Sequence, residues 1–414
     1  MRCHDIPKYF MESSLFSMSM NGVHWFKNAI IYHILIDRFA GYNSTDNWDK
    51  PIFIGGNILG IIKKLNYLKN LGINTIWISP FYKTNVYHGY HIIDFYQVDQ
   101  GYGSIKDIKN LIKMVHNNDM HIIADFIPNH CSKEHPFFRD AQKNKNSEYY
   151  KWFYFIKWPQ NYLCFLHIKD IPKINLDYPP ARDYFINVAK YWLSLGFDGY
   201  RLDHVIGPSN TFWQQFWQEI KKEFPNAVLI GEAWMRGIKF SELKTVNVSQ
   251  KLFKWFFGSS SDKLLKEYIG LLDGVLDFRF QELMTEYITK KTLNKSRNVL
   301  FKKISQHFQK YPTNYFLLTF LDNHDMNRFL FECKNNKEKL KEAVKIQFSI
   351  NQPPIIYYGT EIGMTQKKSI WRFPSYGDLQ VRQPMNWEMQ NKELHKFYKE
   401  LIEQKKLGQL TNIV

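Results

Sequence analysis

Cysteine is scarce: four residues in 414, at Cys3, Cys131, Cys164 and Cys333, with no close pair to form a metal knuckle or a redox motif. Thiols this scattered point to isolated buried side chains, and to a cytoplasmic location, rather than to a disulfide framework. No apolar run approaches the ~18–20 residues needed to cross a bilayer, so no membrane span is expected. The stretch from Met1 to Gly22 is broken by Lys8 and Glu12 and is followed by no small-residue cleavage pattern. It does not read as a secretory signal, and residues 1–24 read as a leader before the folded core. Acidic residues are in deficit, 39 against 55 Lys and Arg, giving a formal net charge of +16. The excess is mostly dispersed lysine, as at Lys63-Lys64, Lys221-Lys222 and Lys290-Lys291, so a solvated surface is expected and no nucleic-acid partner. No internal repeat or low-complexity segment is present.

Aromatic residues, by contrast, make up 17% of the chain, enough to line a sugar cleft as well as a core. Pyranose faces stack on such rings, although most rings in any globular chain are simply buried. Short β-branched runs alternate with longer amphipathic stretches, the pattern of βα units and a parallel sheet. Strands are expected at Ala29–Asp37, Asn74–Pro80, His121–Ile127, Gly199–His204, Ala227–Ala233, Gly274–Phe280, Asn314–Asn323 and Pro354–Glu361. Helices are expected at Ile58–Asn70, Ile105–Asn117, Ala181–Leu195, Thr211–Phe224 and Lys337–Ile350, with a last one at Asn391–Lys405. The fold class is therefore α/β, a (β/α)8 TIM barrel formed by residues 25–130 and 179–414. Residues 131–178 are aromatic-rich and too long for an ordinary loop. They read as a small domain inserted between strand three and helix three, walling a cleft.

In such a barrel the active site lies at the C-terminal ends of the strands. Strand three ends Asp125-Phe-Ile-Pro-Asn129-His130, and strand four carries Arg201-Leu-Asp203-His204. Strand five ends Gly231-Glu232-Ala-Trp234, and strand seven ends Leu321-Asp-Asn323-His324-Asp325. A single strand-end carboxylate often only caps a helix or pairs with an arginine. Four polar clusters converging on one rim indicate a site.

These four segments, in this order and spacing, resemble the signature regions of the α-amylase family of glycoside hydrolases, over nearly the whole chain from Trp25 to about Lys406. Supporting matches are Tyr87-His88-Gly89-Tyr90, Pro172-Lys-Ile-Asn175-Leu and Tyr357-Tyr358-Gly359-Thr360-Glu361. The resemblance implies a retaining enzyme that cleaves α-1,4-glucosidic bonds of maltodextrins and starch-type oligosaccharides. Asp203 is then the nucleophile, Glu232 the acid/base and Asp325 a third carboxylate that binds sugar hydroxyls. Arg201 keeps Asp203 ionised, His130 and His324 hold hydroxyls, and Tyr90, with His88 beside it, stacks under the sugar. His204 and Trp234 complete the substrate-binding set, and Asp125 organises the rim. Transfer to a sugar hydroxyl instead of water would use the same residues, so a 4-α-glucanotransferase is the alternative. A non-catalytic relative is the remote one, disfavoured by the intact carboxylates.

The resemblance also brings in calcium, although the chemistry requires no cofactor. One family site joins barrel and insertion through Asn129 and an insertion Asp, whose position is read here as Asn175. A second follows strand one, where Asn43, Asp46, Asn47 and Asn57 offer oxygens or serve only as turn residues. Gly41 and Asn57 stand where acids are usual, so any calcium is expected to bind weakly. After the last expected helix only about eight residues follow, so the family's C-terminal β-sandwich is not expected within these 414 residues, and Pro172-Lys-Ile-Asn175-Leu leans toward the neopullulanase and cyclomaltodextrinase members.

Overall fold

Eight short parallel strands close on themselves. The computed structural model describes residues 23–234, 261–289, 297–372, 374–388 and 391–412. The strands are β1 (Ile31–Ile34), β2 (Thr75–Ile78), β3 (His121–Phe126), β4 (Gly199–Leu202), β5 (Val228–Gly231), β6 (Gly274–Leu276), β7 (Phe316–Phe320) and β8 (Pro354–Tyr357). Each pairs with its sequence neighbours, and β8 closes on β1 through Ile31–Ile355 and Tyr32–Ile356. The expected barrel is thus present, one strand within each expected segment.

Strand alternation sorts the side chains. Ile31, Trp77, Ile123, Ile230, Leu276, Leu318 and Ile355 pack together inside the barrel, with Val23 and Phe26 below them. Their neighbours Tyr32, Ile76, Ile122, Tyr200, Leu229, Val275, Leu317 and Ile356 join the larger layer between sheet and helices. Both strand faces are buried, which is why these strands read as continuous apolar runs. Moving up by two residues keeps the inward direction. Ile123 is therefore followed inward by Asp125, and Ile230 by Glu232.

Several boundaries differ from expectation for local reasons. Asp37 lies in a short helix, Ile36–Phe39, and its carboxylate accepts the backbone N–H groups of Ile54 and Gly55, both at 3.1 Å. Phe278 opens the helix Phe278–Thr289, because the Asp277 side chain accepts the Phe280 N–H at 2.9 Å and caps it. The expected helix Ile58–Asn70 is two pieces, Ile58–Lys63 and Leu65–Leu71. An antiparallel hairpin, Tyr82–Thr84 with Ile92–Val98, was not anticipated. Its loop carries Tyr87 to Tyr90. A side chain at Gly89 (φ +87°) would place Cβ 2.3 Å from the Pro80 carbonyl oxygen, so only glycine fits.

Between β3 and the helix Pro179–Ser194 the chain forms a helix, Pro136–Lys143, and a small hairpin, Phe155–Lys157 with Asn161–Tyr162. Stacked rings such as Phe137 on Tyr149, 4.0 Å apart, hold this segment together. It is tied to the barrel by an antiparallel bridge between His130 and Lys173. Residues 1–22 of the expected leader, Cys3 and the Lys290-Lys291 pair lie outside the described residues. Val23 is buried, and His24–Asn28 forms a 3-10 turn. Cys131, Cys164 and Cys333 are free and buried. Among the described residues no helix is long and apolar enough to cross a membrane.

One buried ion cluster makes fold stability pH-dependent. His307, on the helix Arg297–Phe308, places Nδ1 2.5 Å from Asp262 and Nε2 2.8 Å from Asp277. Burial works to lower its pKa, but the two carboxylates outweigh burial and raise it from 6.5 to about 9. A raised histidine contributes stability that is complete below its unfolded pKa of about 6.5 and is lost as pH climbs through the folded value. Replacing His307→Gln is expected to cost about 3 kcal/mol near neutrality. Denaturant titrations should show the wild type and variant converging above about pH 9, and a pH-independent gap would contradict this.

Candidate active site

The C-terminal mouth of the barrel is organised by Arg201. This side chain is 1% exposed and lies over the Trp77 ring, 5.3 Å from its centre. Its Nη1 donates to Asp125 Oδ1 at 2.7 Å and to Asp203 Oδ1 at 2.8 Å. Its Nη2 lies 2.6 Å from Glu232 Oε1, an ion pair with no N–H aligned as a hydrogen bond. One guanidinium thus holds three carboxylates together. Asp203 and Glu232 keep 6% and 7% of their surface, so both open into the mouth while Asp125, at 0%, does not. Glu232 Oε2 accepts the His204 backbone N–H at 3.2 Å. His204 takes a left-handed conformation (φ 46°), an unfavourable state for a residue other than glycine and one often found at functional sites.

The other half of the rim forms a second chain of contacts. Tyr90 donates to Asp125 Oδ2 at 2.8 Å and lies 2.7 Å from His324 Nε2, with the two rings stacked. His324 Nε2 is 3.0 Å from Asp325 Oδ2, and Asp325 Oδ1 accepts from Arg382 Nη2 at 2.7 Å. Arg382 also pairs with Asp378 and donates through Nε to the His324 carbonyl at 2.9 Å.

These surroundings separate the carboxylates electrostatically. Burial, Glu232 and the nearby aspartates push Asp203 up, with Arg201 opposing. Burial and Asp325 likewise push Glu232 up against Arg201. The site therefore resists carrying full negative charge on both, and their titration belongs to the pair. Asp325 behaves oppositely: burial would raise it, but His324 and Arg382 hold it well below the usual carboxylate range. His130 is buried and pushed down to about 3, chiefly by burial, and burial with the Arg382 charge keeps His88 neutral as well.

These groups line a cavity of about 480 Å³. Asp203, Glu232, Asp325, Tyr90, His88, His130, His204, His324 and Trp234 all face it, while Arg201 lies beneath the carboxylates. Sequence reasoning missed Phe165, Leu166, Ile168 and Ile171 on the insertion side, and Trp371, Asp378 and Arg382 in the long segment after β8. The Asp378/Arg382 i,i+4 spacing and the length of that segment were the only signals available. Trp371 meets Trp234 edge to face at 6.1 Å, forming an aromatic corner.

The residues proposed for calcium do not fit a hard cation. Asn43, Asp46 and Asn47 are exposed in the loop after β1. Asn57 spends its Oδ1 capping the Gly60 N–H at 2.9 Å and turns its Nδ2 donor onto the Gly41 and Gly55 carbonyls at 3.3 and 2.9 Å. A cation needs those oxygens free. At the insertion, Asn175 does not face Asn129: its Nδ2 donates to the Lys151 carbonyl at 3.0 Å. Lys173, two residues earlier, reaches the Gly207 carbonyl with its Nζ at 2.9 Å, and Gly207 packs against Asn129 Oδ1. Among the described residues no group of three or more His, Cys, Asp or Glu is placed to hold a metal.

A parallel barrel with a carboxylate cluster bridged by one arginine, opening on an aromatic cleft, defines the class. The description "Alpha amylase, catalytic domain" matches residues 33–412, and the chain belongs to the α-amylase family. Alpha-amylase 2 of Dictyoglomus thermophilum is 38% identical over 387 residues, covering 92% of this chain and 64% of that protein. Neopullulanase 2 of Thermoactinomyces vulgaris is 29% identical over 402 residues, covering 91% and 62%. The chain thus spans less than two thirds of the length of these relatives. The solved α-amylase of Anoxybacillus has a TM-score of 0.75 at 28% identity, covering 93% of this chain and 80% of that one.

Replacing Asp203→Asn or Glu232→Gln is expected to lower turnover by roughly 10³-fold or more without unfolding the protein, since each belongs to one cooperating set. A correctly folded variant of either kind that kept more than about a tenth of wild-type turnover would show that the cluster is structural.

Proposed function

We propose that the protein is a retaining glycoside hydrolase that cleaves α-1,4-glucosidic bonds of maltodextrins and starch-type oligosaccharides. The observation that carries this reading is the bridging of Asp203 and Glu232 by the single guanidinium of Arg201 at the floor of a sugar-sized cavity. Burial and neighbouring charge push both carboxyls up, so the pair holds a proton; the mechanism needs it on Glu232, with Asp203 charged and bonded to Arg201. In the first displacement an Asp203 oxygen attacks the anomeric carbon. The bond to the glycosidic oxygen breaks, and that oxygen takes the Glu232 proton. In the second, Glu232 removes a proton from water, whose oxygen displaces Asp203 and restores both groups. One guanidinium between the two carboxyls keeps them close, in keeping with the roughly 5–5.5 Å of retaining pairs rather than the 6.5–9.5 Å of inverting ones. Tyr90 supplies a stacking face. Asp325, held ionised by His324 and Arg382, accepts sugar hydroxyls. The partner is the glucan alone, with no nucleic acid or membrane, and the buried free cysteines support a cytoplasmic setting.

Transfer in place of hydrolysis is the second reading, and one observation favours it. Phe165, Leu166, Ile168 and Ile171 make an apolar strip on the insertion side of the cavity, and the Phe165 ring meets His204 edge to face at 4.6 Å. Such a wall suits the C–H face of an incoming sugar better than a water molecule.

Proton NMR in the first minutes of maltodextrin cleavage should show the α-anomer of the new reducing end, before mutarotation mixes the two. An initial β-anomer would contradict double displacement. Chromatography of the same mixture separates the two readings: products longer than the substrate indicate transfer, and only shorter ones indicate hydrolysis.

A further inference from the structure

We propose that Lys173 is a built-in cation that takes the place of a calcium ion at the junction between insertion and barrel, so that this junction holds without metal. Three segments meet there. Asn129 follows β3, Gly207 lies in the turn after β4, and Lys173 belongs to the insertion. Backbone pairing fixes the register: the Ile174 N–H donates to the Asn129 carbonyl and the Lys173 N–H to the Leu163 carbonyl, both at 2.9 Å. That register sends the Lys173 side chain inward, where it is 6% exposed. Its Nζ donates to the Gly207 carbonyl at 2.9 Å, with the Tyr154 ring 5.9 Å away.

The same pocket holds an oxygen of the kind a metal would use. Asn129 Oδ1 is buried and has no hydrogen-bond partner among the described residues. It packs so tightly on Gly207 that a Cβ there would lie 2.0 Å from it. Asn129 Oδ1 and the Gly207 carbonyl are two oxygens that could face a cation, and the Lys173 ammonium already holds the second. A calcium ion would need more oxygens at about 2.3–2.6 Å and would meet a like charge. Gly207 lies three residues after His204, whose N–H holds Glu232, so the tether also fixes the turn beneath the acid/base residue. Lys173 is thus a positioning residue. Asn57, with its amide donor turned onto the Gly41 and Gly55 carbonyls, repeats the substitution of an N–H donor for a metal at the loop after β1.

The test measures thermal unfolding alongside turnover, so that it stands apart from substrate identity. Wild-type Tm and kcat/KM should be unchanged by a chelator and by added calcium chloride. K173M should lower Tm by several degrees and reduce kcat more than it raises KM, with K173R restoring part of both. K173D, prepared in calcium, should gain a Tm that falls on chelation and returns with calcium but not with magnesium. A wild-type Tm that drops in chelator and recovers with calcium would overturn the proposal, as would a K173M variant matching wild type. If K173M fails to fold, the wild-type chelation result and the K173D calcium response decide the matter, and a K173D variant indifferent to calcium would overturn it.

Discussion

The site depends on one buried guanidinium. Stripping Arg201 of water costs several kcal/mol, and each carboxylate beside it costs as much again, so none of these groups is tolerable there alone. Together they are stable only because Asp125, Asp203 and Glu232 share a single cation. Burial pushes Asp203 and Glu232 up, and neighbouring negative charge, which the one guanidinium only partly offsets, adds to the push. The same shortage of positive charge that makes the cluster costly keeps a proton available for chemistry.

The barrel supplies the geometry. Strand alternation brings Asp125, Arg201, Asp203 and Glu232 onto inward positions just above the apolar layer of Trp77, Ile123 and Ile230. On the far rim His324 and a separate cation, Arg382, hold Asp325 down against burial, so acids lining one cavity are pushed in opposite directions. A third, Lys173, ties the insertion to the turns that carry the site. Arginine serves where carboxylates must be bridged, since its planar fork reaches several oxygens at once. Lysine serves where one carbonyl must be met.

The barrel was legible in the sequence because parallel strands buried on both faces leave continuous apolar runs, and the strand-end acids interrupt those runs conspicuously. Asp203, Glu232, His324 and Asp325 were therefore nameable before any coordinates, Tyr90 only through the family resemblance, and all five line one cavity. The hairpin was not legible, since Tyr82–Thr84 is only three residues long with Lys83 exposed, and its pairing with Ile92–Val98 is irregular. Arg382 was missed for another reason. Its role rests on a contact to Asp325, 57 residues away, which its i,i+4 spacing from Asp378 does not reveal. The role of Lys173 was not legible either, since its Nζ meets a backbone carbonyl, that of Gly207, 34 residues away.

The most direct test of the central claim, that Asp203 attacks the anomeric carbon while Glu232 serves as acid and base, is to trap the covalent intermediate. A 2-deoxy-2-fluoro-α-glucosyl fluoride lowers the charge-building ability of the sugar, slowing both displacements, while fluoride leaves without needing the acid. Glu232→Gln protein, in which breakdown of the intermediate lacks its base, should accumulate an adduct of one glycosyl mass. Peptide mapping by mass spectrometry should assign that adduct to Asp203. An adduct on Asp125 or Asp325, with Asp203 unmodified, would contradict the division of roles.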